Sequence, residues 1–370
     1  MQKPLQLFLF LLLCQIASGQ TVSTPETVVS SGATFTDDLI FDAQGNLYGS
    51  DYAGNSVFKL SPRGVISAFV SGLDSPNGLA FDSQGNLFVC DNTGNKIYKV
   101  NSAGLISDSF ATSNPSGIIK DPNSDTLYFT SYLGNELKKL TPDGLVLPWL
   151  SGSPMNGPVG LCYDMAGQLY LSNFDDRKIF KVYPDSLSFL ASMPGTNNSY
   201  LGFITYAFGS IWATNFQNHR IYRVFTNYTD SVVLYAGSGP GFTNGSLDSA
   251  KFRQPNGIVA KNDSLYISEY STGHIRIISD IDADLSAPRS KLNAKAVHLY
   301  PNPCTGHISL SGFTLSDYSF YKIHSLGGQI LKQGSLDAGR NLSVEELAEG
   351  FYFLILKGKG KQERLNFQKL

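Results

Sequence analysis

The chain has 370 residues, which is enough for one large domain and one small domain. Charged residues make up 16% of it and the formal net charge is −2, so the sequence lacks the basic excess that nucleic-acid binding requires. With 36 glycines and 12% aromatic residues, the composition favours an all-β protein that has many turns and half-buried strands.

The first segment, residues 1–19, has the pattern of a secretory signal peptide. Lys3 supplies a positive charge, residues 5–13 are almost entirely apolar, and small residues precede the predicted cleavage site. A lipoprotein signal at Cys14 is disfavoured, because Leu13 stands where such signals require a small residue. The apolar run is too short to cross a bilayer and no longer run follows, so we predict no transmembrane span in the mature chain.

Residues 20–279 contain an internal repeat, with six copies at a period of about 40 residues. The copy at residues 75–91 closely matches the one at residues 37–51, and the last copy is lengthened by an insertion. Each copy predicts four short strands, because apolar residues alternate with polar ones and the Gly-Asn pairs suit tight hairpins. One such sheet cannot bury both faces alone, whereas six sheets packed around an axis can, so the sequence predicts a six-bladed β-propeller.

The sixth copy lacks a fourth strand. After residues 275–278 the chain enters a polar, proline-containing linker, residues 280–296. The missing pattern occurs near the start of the mature chain, where residues 26–32 match the fourth strand at residues 66–72. We therefore expect this N-terminal strand to complete the last sheet and to pair an edge that would otherwise be exposed.

Residues 297–370 form a separate segment of alternating strands after the linker. Their length and pattern predict a small β-sandwich, so the predicted fold is an all-β chain with a propeller followed by a sandwich. The three cysteines of the mature chain, Cys90, Cys162 and Cys304, lie far apart in predicted strands. We interpret them as small buried apolar side chains, with a disulfide or metal role as the alternative.

The repeats resemble the NHL repeat family of propellers. The resemblance is carried by residues 218–221, which match the second-hairpin motif, and by residues 234–258, which match the long connection between blades. It covers nearly all of residues 25–279. It implies the propeller fold and no single function, because propellers host many activities.

The C-terminal segment resembles the type A sorting domain of the type IX secretion system of Bacteroidetes-like bacteria. The matching parts are residues 299–303, residues 325–329, residues 347–352 and the basic end at residues 357–369. The resemblance implies the type IX machinery as a partner, export across the outer membrane, and removal of the tail with release or surface attachment. An ordinary accessory β-domain is the alternative interpretation.

Two columns of residues should meet at one mouth of the channel, because each first strand begins, and each second strand ends, on the same face of the ring. The first column contains Asp37, Asn77, Ser116, Val159, Leu201 and Asn256. The second column contains Asp51, Asp91, Ser131, Asn173, Asn215 and Glu269. The residues that follow it are Tyr52, Asn92, Tyr132, Phe174, Phe216 and Tyr270.

Such a concave site is the default binding hypothesis. Our binding candidates are the acidic and amide members of the second column together with three tyrosines, namely Asp51, Asp91, Asn173, Asn215, Glu269, Tyr52, Tyr132 and Tyr270. Two structural alternatives stay open. The short polar side chains precede hairpin turns and commonly cap turn backbone, and the aromatic side chains commonly pack between blades.

A metal site is a further expectation. Asp37, Asn77 and Asn256 belong to adjacent blades, and their oxygen atoms suit Ca²⁺ or another divalent cation. The arrangement resembles the gluconolactonase and senescence-marker group, whose members hold a divalent ion in the channel and open lactones. This chain lacks that group's opening glutamate, and Ser116 and Val159 stand where further ligands would be needed.

The leading functional hypothesis is an exported, non-catalytic binding module that presents a ring face to an extracellular glycan, peptide or protein. The alternative is a metal-dependent, lactonase-like hydrolase. Other catalytic patterns are missing from the sequence, since it has no nucleophile elbow, zinc-spaced histidine pair or phosphate loop. His219 and His274 lie in predicted hairpin turns, so we expect structural or exposed roles for them.

Overall fold

The computed structural model describes residues 25–27, 33–196, 199–281, 298–300, 304–311, 318–325, 329–336, 341–358 and 361–370. The predicted signal peptide and nearly all of the predicted linker lie outside these residues. The chain divides into two compact units, Met1–Ser286 and Ala287–Leu370.

The described residues of the first unit form six four-stranded antiparallel sheets, which we call blades 1 to 6. Blade 1 comprises β2 (Leu39–Phe41), β3 (Leu47–Ser50), β4 (Ser56–Leu60) and β5 (Ile66–Ser71). Blade 2 comprises β6 (Pro76–Phe81), β7 (Leu87–Asp91), β8 (Lys96–Val100) and β9 (Ile106–Ala111). Blade 3 comprises β10 (Pro115–Lys120), β11 (Leu127–Ser131), β12 (Glu136–Leu140) and β13 (Val146–Ser151).

The remaining blades repeat this order. Blade 4 comprises β14 (Pro158–Tyr163), β15 (Leu169–Asn173), β16 (Lys178–Val182) and β17 (Leu187–Ser192). Blade 5 comprises β18 (Leu201–Ala207), β19 (Ser210–Asn215), β20 (Arg220–Val224) and β21 (Val232–Ala236). Blade 6 comprises β22 (Pro255–Lys261), β23 (Ser264–Glu269), β24 (Ile275–Ile278) and, from the start of the chain, β1 (Pro25–Thr27).

The blades close into a ring. The first strand of each blade contacts the first strands of both neighbours, and β22 of blade 6 contacts β2 of blade 1. Strand β1 pairs antiparallel with β24, with Pro25 opposite Ile278 and Thr27 opposite Arg276. This pairing confirms the predicted N-terminal closure for Pro25–Thr27, whereas residues 28–32 lie outside the described part of the chain.

The hydrophobic cores lie between neighbouring blades. One cluster joins Tyr48 and Val57 of blade 1 to Leu79, Leu87 and Val89 of blade 2. Apolar side chains on both faces of a sheet are therefore covered, which explains why strands such as β7 are buried along their whole length.

At the glycines of the first strands, neighbouring blades approach each other so closely that a side chain cannot fit between them. A methyl group built on Gly117 would lie 1.7 Å from the carbonyl oxygen of Val159 in the next blade, and one built on Gly257 would lie 2.0 Å from the carbonyl oxygen of Asp37. Glycine is therefore required at these contacts, because the obstructing atoms belong to backbone.

Buried hydroxyl groups form hydrogen bonds across the same contacts in blades 3 to 6. They belong to Thr130, Ser172, Thr214 and Ser268, which together with Ser50 at the matching position of blade 1 we call the hydroxyl belt. The Ser268 hydroxyl accepts a hydrogen bond from the Gly257 N–H at 2.7 Å and donates one to the carbonyl oxygen of Asp37 at 2.6 Å. In blade 3, the Thr130 hydroxyl accepts the Gly117 N–H at 2.9 Å. These side chains lie one residue before the second column, so the belt and the column run along the same strands.

The second unit forms two antiparallel sheets. The first contains β25 (His298–Tyr300), β26 (His307–Ser311) and β29 (Asn341–Ser343). The second contains β27 (Phe320–Ser325), β28 (Ile330–Ser335), β30 (Gly350–Gly358) and β31 (Lys361–Lys369). Ile308 and Leu342 of the first sheet share a buried core with Ile323 and Leu354 of the second, which confirms the predicted small β-sandwich.

The contact at Gly117 gives a stability prediction. Gly117→Ala should lower the free energy of unfolding by about 3 kcal/mol, because two backbones must separate to admit the methyl group. Gly85→Ala is the matched control, since Gly85 has a φ of 79° but no atom within 4 Å of the added methyl group, and should cost only about 1 kcal/mol. Denaturant unfolding of both variants measures the difference, and equal losses would contradict this packing.

Candidate functional site

A cavity of about 310 Å³ receives side chains from all six blades. The lining residues are Asp37, Tyr52, Asn77, Asn92, Ser116, Tyr132, Val159, Phe174, Phe216, Gln254, Asn256 and Tyr270. Because one cavity touches every blade, it lies where the first strands and the ends of the second strands meet around the axis.

The first column lies on this cavity except at blade 5. Asp37, Asn77, Ser116, Val159 and Asn256 line it, and all five are buried. Leu201 of blade 5 instead packs in the hydrophobic core with Leu190 and Ile204. The expectation that the first column meets at one mouth therefore describes five of its six positions.

The residues that follow the second column also line the cavity, and here all six blades contribute. This set includes three of the binding candidates, Tyr52, Tyr132 and Tyr270. Four of its aromatic rings form an arc, with centroid distances of 6.1 Å from Tyr132 to Phe174, 5.9 Å from Phe174 to Phe216, and 5.4 Å from Phe216 to Tyr270. We call these four rings the aromatic arc.

The second column itself does not reach the cavity, which corrects the predicted geometry for Asp51, Asp91, Asn173, Asn215 and Glu269. Consecutive side chains of an extended segment point to opposite sides, so when the following residues face the axis these five point away from it. The sequence gives this alternation but not which side of it faces the axis.

These side chains instead hold the connection that precedes their own blade. Asp91 accepts hydrogen bonds from the backbone N–H groups of Asp74 at 2.9 Å and Ser75 at 2.7 Å. Asn173 and Asn215 donate to the carbonyl oxygens of Pro154 at 2.9 Å and Pro194 at 2.7 Å. Their geometry agrees with the structural alternative, in which they satisfy backbone groups.

Asp51 and Glu269 also accept hydrogen bonds from residues of the connection that precedes their blade. Asp51 accepts hydrogen bonds from the hydroxyls of Thr34 and Thr36. Glu269 is fully buried, accepts the Arg253 N–H at 2.8 Å and forms an ion pair at 3.3 Å with Arg276, which is also fully buried. Loss of either partner would leave an uncompensated buried charge, which is strongly destabilising.

The polar side of the cavity is formed by blades 1, 2 and 6. The Asn256 amide nitrogen donates to Oδ1 of Asp37 at 2.6 Å and to the carbonyl oxygen of Thr36 at 3.2 Å. The Tyr52 hydroxyl donates to Oδ1 of Asn92 at 3.4 Å. Oδ1 of Asn77 is buried, and no hydrogen-bond donor among the described residues reaches it.

Acidic groups dominate the electrostatics of this side. Burial raises the pKa of Asp37 well above its ordinary value, and the neighbouring charges of Asp38 and Asp51 raise it further. Burial likewise raises the pKa of Asp38 to about 7, although its carboxylate accepts the N–H groups of Leu39 and Leu79 at 2.8 Å each. Burial also raises the pKa of Tyr52, assisted by Asp37 and Tyr270.

Asp38 marks the one place where the repeat is broken among the described first strands. It stands where the other blades have Gly78, Gly117, Gly160, Gly202 and Gly257. Its carboxylate crosses to the backbone of Leu79 in blade 2. In that blade Cys90 occupies the position of the hydroxyl belt, and burial raises its pKa well above the ordinary value. The sequence shows both irregularities, and aligning the copies at these positions would have found them.

The three residues predicted to bind a metal lie together on the cavity, but Asn256 presents its amide nitrogen, not its oxygen, to Asp37. Both partners of the Asn256 amide nitrogen are acceptors, so its oxygen faces away from Asp37 and lies toward Gly202. The remaining oxygens of Asp37 and Asn77 fall short of the six to eight that Ca²⁺ takes. Among the described residues, no group of three or more His, Cys, Asp or Glu side chains is arranged to hold a metal.

The structure also shows where the predicted structural histidine His219 and the three cysteines lie. Nδ1 of His219 accepts the N–H of Gln254 at 3.0 Å, so this histidine has a structural role beside the cavity. Gln254 lines the cavity and was missed, because it precedes its strand by one residue and carries no repeated pattern. Cys90, Cys162 and Cys304 are buried free cysteines, as predicted.

Comparison with known families identifies the C-terminal unit. Residues 298–367 match the family described as the secretion system C-terminal sorting domain. The match confirms the predicted sorting domain. It also supports an exported protein, and within the described residues no helix is long and apolar enough to cross a membrane.

Solved structures similar to this chain are propellers. An auxiliary nutrient binding protein from Bacteroides thetaiotaomicron is 15% identical with a TM-score of 0.60, covering 70% of this chain and 76% of its own. One from Bacteroides ovatus is 16% identical with a TM-score of 0.57, covering 70% and 77%. A gluconolactonase from Xanthomonas campestris is 16% identical with a TM-score of 0.53, covering 70% and 89%.

At these identities the similarity establishes the propeller fold and leaves function to the site itself. A search among curated protein sequences gave no match.

The raised pKa of Asp38 gives a prediction for stability against pH. Because the pKa rises from 3.8 to about 7 on folding, the folded state binds this proton more tightly than the unfolded state. The free energy of unfolding should therefore fall as the pH rises from about 4 to about 7. Asp38→Asn removes this titration and should make the fall shallower, as measured by denaturant unfolding across that range.

Asp248→Asn, at an exposed position, is the control for the substitution itself. An Asp38→Asn profile that is as steep as that of the unmodified chain would show that this carboxyl does not titrate as described.

Proposed function

We propose that this chain is an exported binding module that takes a small organic ligand, or the end of a longer one, into the axial cavity. The observation that carries the proposal is the convergence of all six blades on one cavity of about 310 Å³. Its lining combines an aromatic side with a few amide and carboxyl groups. Sites for small molecules commonly have this form, in which apolar walls provide contact area and a few polar groups fix orientation.

The C-terminal unit supports an extracellular location for the propeller. The sorting-domain match at residues 298–367 and the predicted signal peptide together favour export through the type IX system. We infer that the mature propeller acts at the outer cell surface or in the medium, after passage through the periplasm. Its ligand is then an extracellular molecule.

The propeller relatives are compatible with this function. Two of them are described as auxiliary nutrient binding proteins from Bacteroides, so the same fold serves ligand binding in other chains. Glycans, peptides and proteins were the expected ligands. The cavity volume favours a ligand the size of one ring or residue over a broad protein surface.

The metal-dependent hydrolase has weaker support. A gluconolactonase shares the fold, but this cavity offers a single carboxylate, that of Asp37. The side-chain oxygen of Asn256 faces away from Asp37. Elemental analysis of the purified chain decides this alternative. A stoichiometric divalent ion that is lost in both Asp37→Ala and Asn77→Ala would favour the hydrolase over the binding module.

The binding module is tested by removing part of the aromatic arc. We expect a screen of sugars, amino acids, amines and organic acids to give a ligand that stabilises the mature full-length chain against heat. Tyr270→Ala should weaken its binding about tenfold or more, because the aromatic contact is lost. Calorimetric titration measures the affinity.

Tyr228→Ala is the matched control, because Tyr228 is 56% exposed and lies away from the cavity lining. It should bind the ligand as the unmodified chain does. The proposal fails if no compound of these classes binds, or if every compound that binds does so equally well to Tyr270→Ala.

A further inference from the structure

The cavity contains an acid without a counter-charge. Asp37 carries the only formal charge among the described residues that line the cavity, and it is 4% exposed. The charged groups that act on it, Asp38 and Asp51, are both acids. Burial disfavours the ionised form of this carboxyl, whereas a positive charge placed beside it favours that form, so a cationic ligand has a specific partner at this position.

A second observation points to a ligand with hydrogen-bond donors. Asn77 lines the same cavity from the adjacent blade, the residue is only 7% exposed, and its Oδ1 is buried. No donor among the described residues reaches this oxygen. The Asp37 carboxylate is likewise an acceptor, so the two polar groups together require N–H or O–H donors from the ligand.

The opposite side of the cavity suits a hydrocarbon group. The aromatic arc extends from Tyr132 through Phe174 and Phe216 to Tyr270. Phe174 is backed by Tyr200, with ring centroids 4.7 Å apart and an interplanar angle of 13°, which holds the arc in place. Aromatic walls provide apolar contact area, and their rings also attract cations.

We propose that the cavity binds a protonated primary amine that carries a small aromatic or aliphatic group. The ammonium group has three N–H donors and one positive charge, so it satisfies the acceptors Asp37 and Asn77 and supplies the missing counter-charge. The hydrocarbon part packs against the aromatic arc. This inference rests on the proposed function and names the ligand class for the same cavity.

A neutral ligand fits these groups less well. Each hydroxyl of a sugar brings one donor, two acceptor lone pairs and no charge, whereas the groups here call for donors and a positive charge. A carboxylate ligand would place a further negative charge beside the acids Asp37, Asp38 and Asp51, which is unfavourable. The charge and the hydrogen-bond polarity of the cavity therefore select the same chemical class.

The experiment compares phenethylamine with phenethyl alcohol, which have nearly the same shape and differ in charge. The titrated protein is the chain without its signal peptide. Calorimetric titration should show that it binds the amine at least about tenfold more tightly than the alcohol. Asp37→Asn should reduce amine affinity about tenfold or more and alcohol affinity much less, because it removes the negative charge and exchanges one acceptor oxygen for an NH2 donor. This variant keeps an oxygen to accept the Asn256 hydrogen bond, so its cavity should stay intact.

Two further variants test whether the effect is specific to the polar groups of the cavity. Asn77→Ala should weaken the amine more than the alcohol, since it removes the second acceptor and an N–H donor of a charged group forms the stronger hydrogen bond. Asp248→Asn removes an exposed acid elsewhere and should change neither affinity. Thermal unfolding of each variant confirms that it is folded before titration.

The amine proposal is wrong if phenethylamine does not bind, if phenethyl alcohol binds as tightly, or if Asp37→Asn leaves amine affinity unchanged. These failures can be separated from failure of the proposed function. A neutral compound that binds and loses affinity in Tyr270→Ala would sustain the binding module and overturn the amine. No binding by any class would overturn both.

Discussion

The contact between neighbouring first strands is the constraint on which this molecule depends. Backbone meets backbone there, so Gly117 and Gly257 have no room for a side chain. Buried hydroxyls such as Ser268 then join the strand of one blade to the carbonyl oxygen of the next. Six sheets that could not bury both faces alone are thereby held in one ring.

This contact also places the cavity. Ser116, Val159 and Asn256 each precede one of the contact glycines. Each directs its carbonyl oxygen to the glycine of the preceding blade and also lines the cavity. The cavity is thus a consequence of ring packing, and most of its chemistry is set by the residues at two repeated positions of the blades, with Gln254 in addition. Evolution can change the ligand at these positions without changing the ring.

Blade 1 departs from the rule, and its departure makes the site acidic. Asp38 replaces the glycine and reaches across to blade 2, while Cys90 replaces the hydroxyl that the other blades have. Asp37, Asp38 and Asp51 then lie close enough for their charges to interact. The aromatic arc occupies the other blades, so the asymmetry of the repeat gives the cavity one polar side and one apolar side.

Much of this architecture can be read from the sequence, because it depends on local patterns. These are the repeat period, the absence of a fourth strand in the sixth copy and the motifs of the C-terminal segment. The sequence predicts less well which candidate residues face the cavity. The alternation along β3, β7 and β23 predicts that adjacent residues face opposite ways, and only the packed ring shows that Tyr52 and Tyr270 face the axis while Asp51 and Glu269 do not. The unpaired Asn77 oxygen depends on contacts between blades, which no single repeat contains.

The dependence of the ring on its borrowed strand is tested most directly by hydrogen exchange. The mature chain is compared with one that lacks residues 20–32, and amide exchange is followed in β24 (Ile275–Ile278) and in the first strands β2 and β22. The account predicts faster exchange in all three, because β24 loses its partner and the contact between blades 6 and 1 loosens. Unchanged protection of these strands would contradict a ring that is closed by its N-terminal strand.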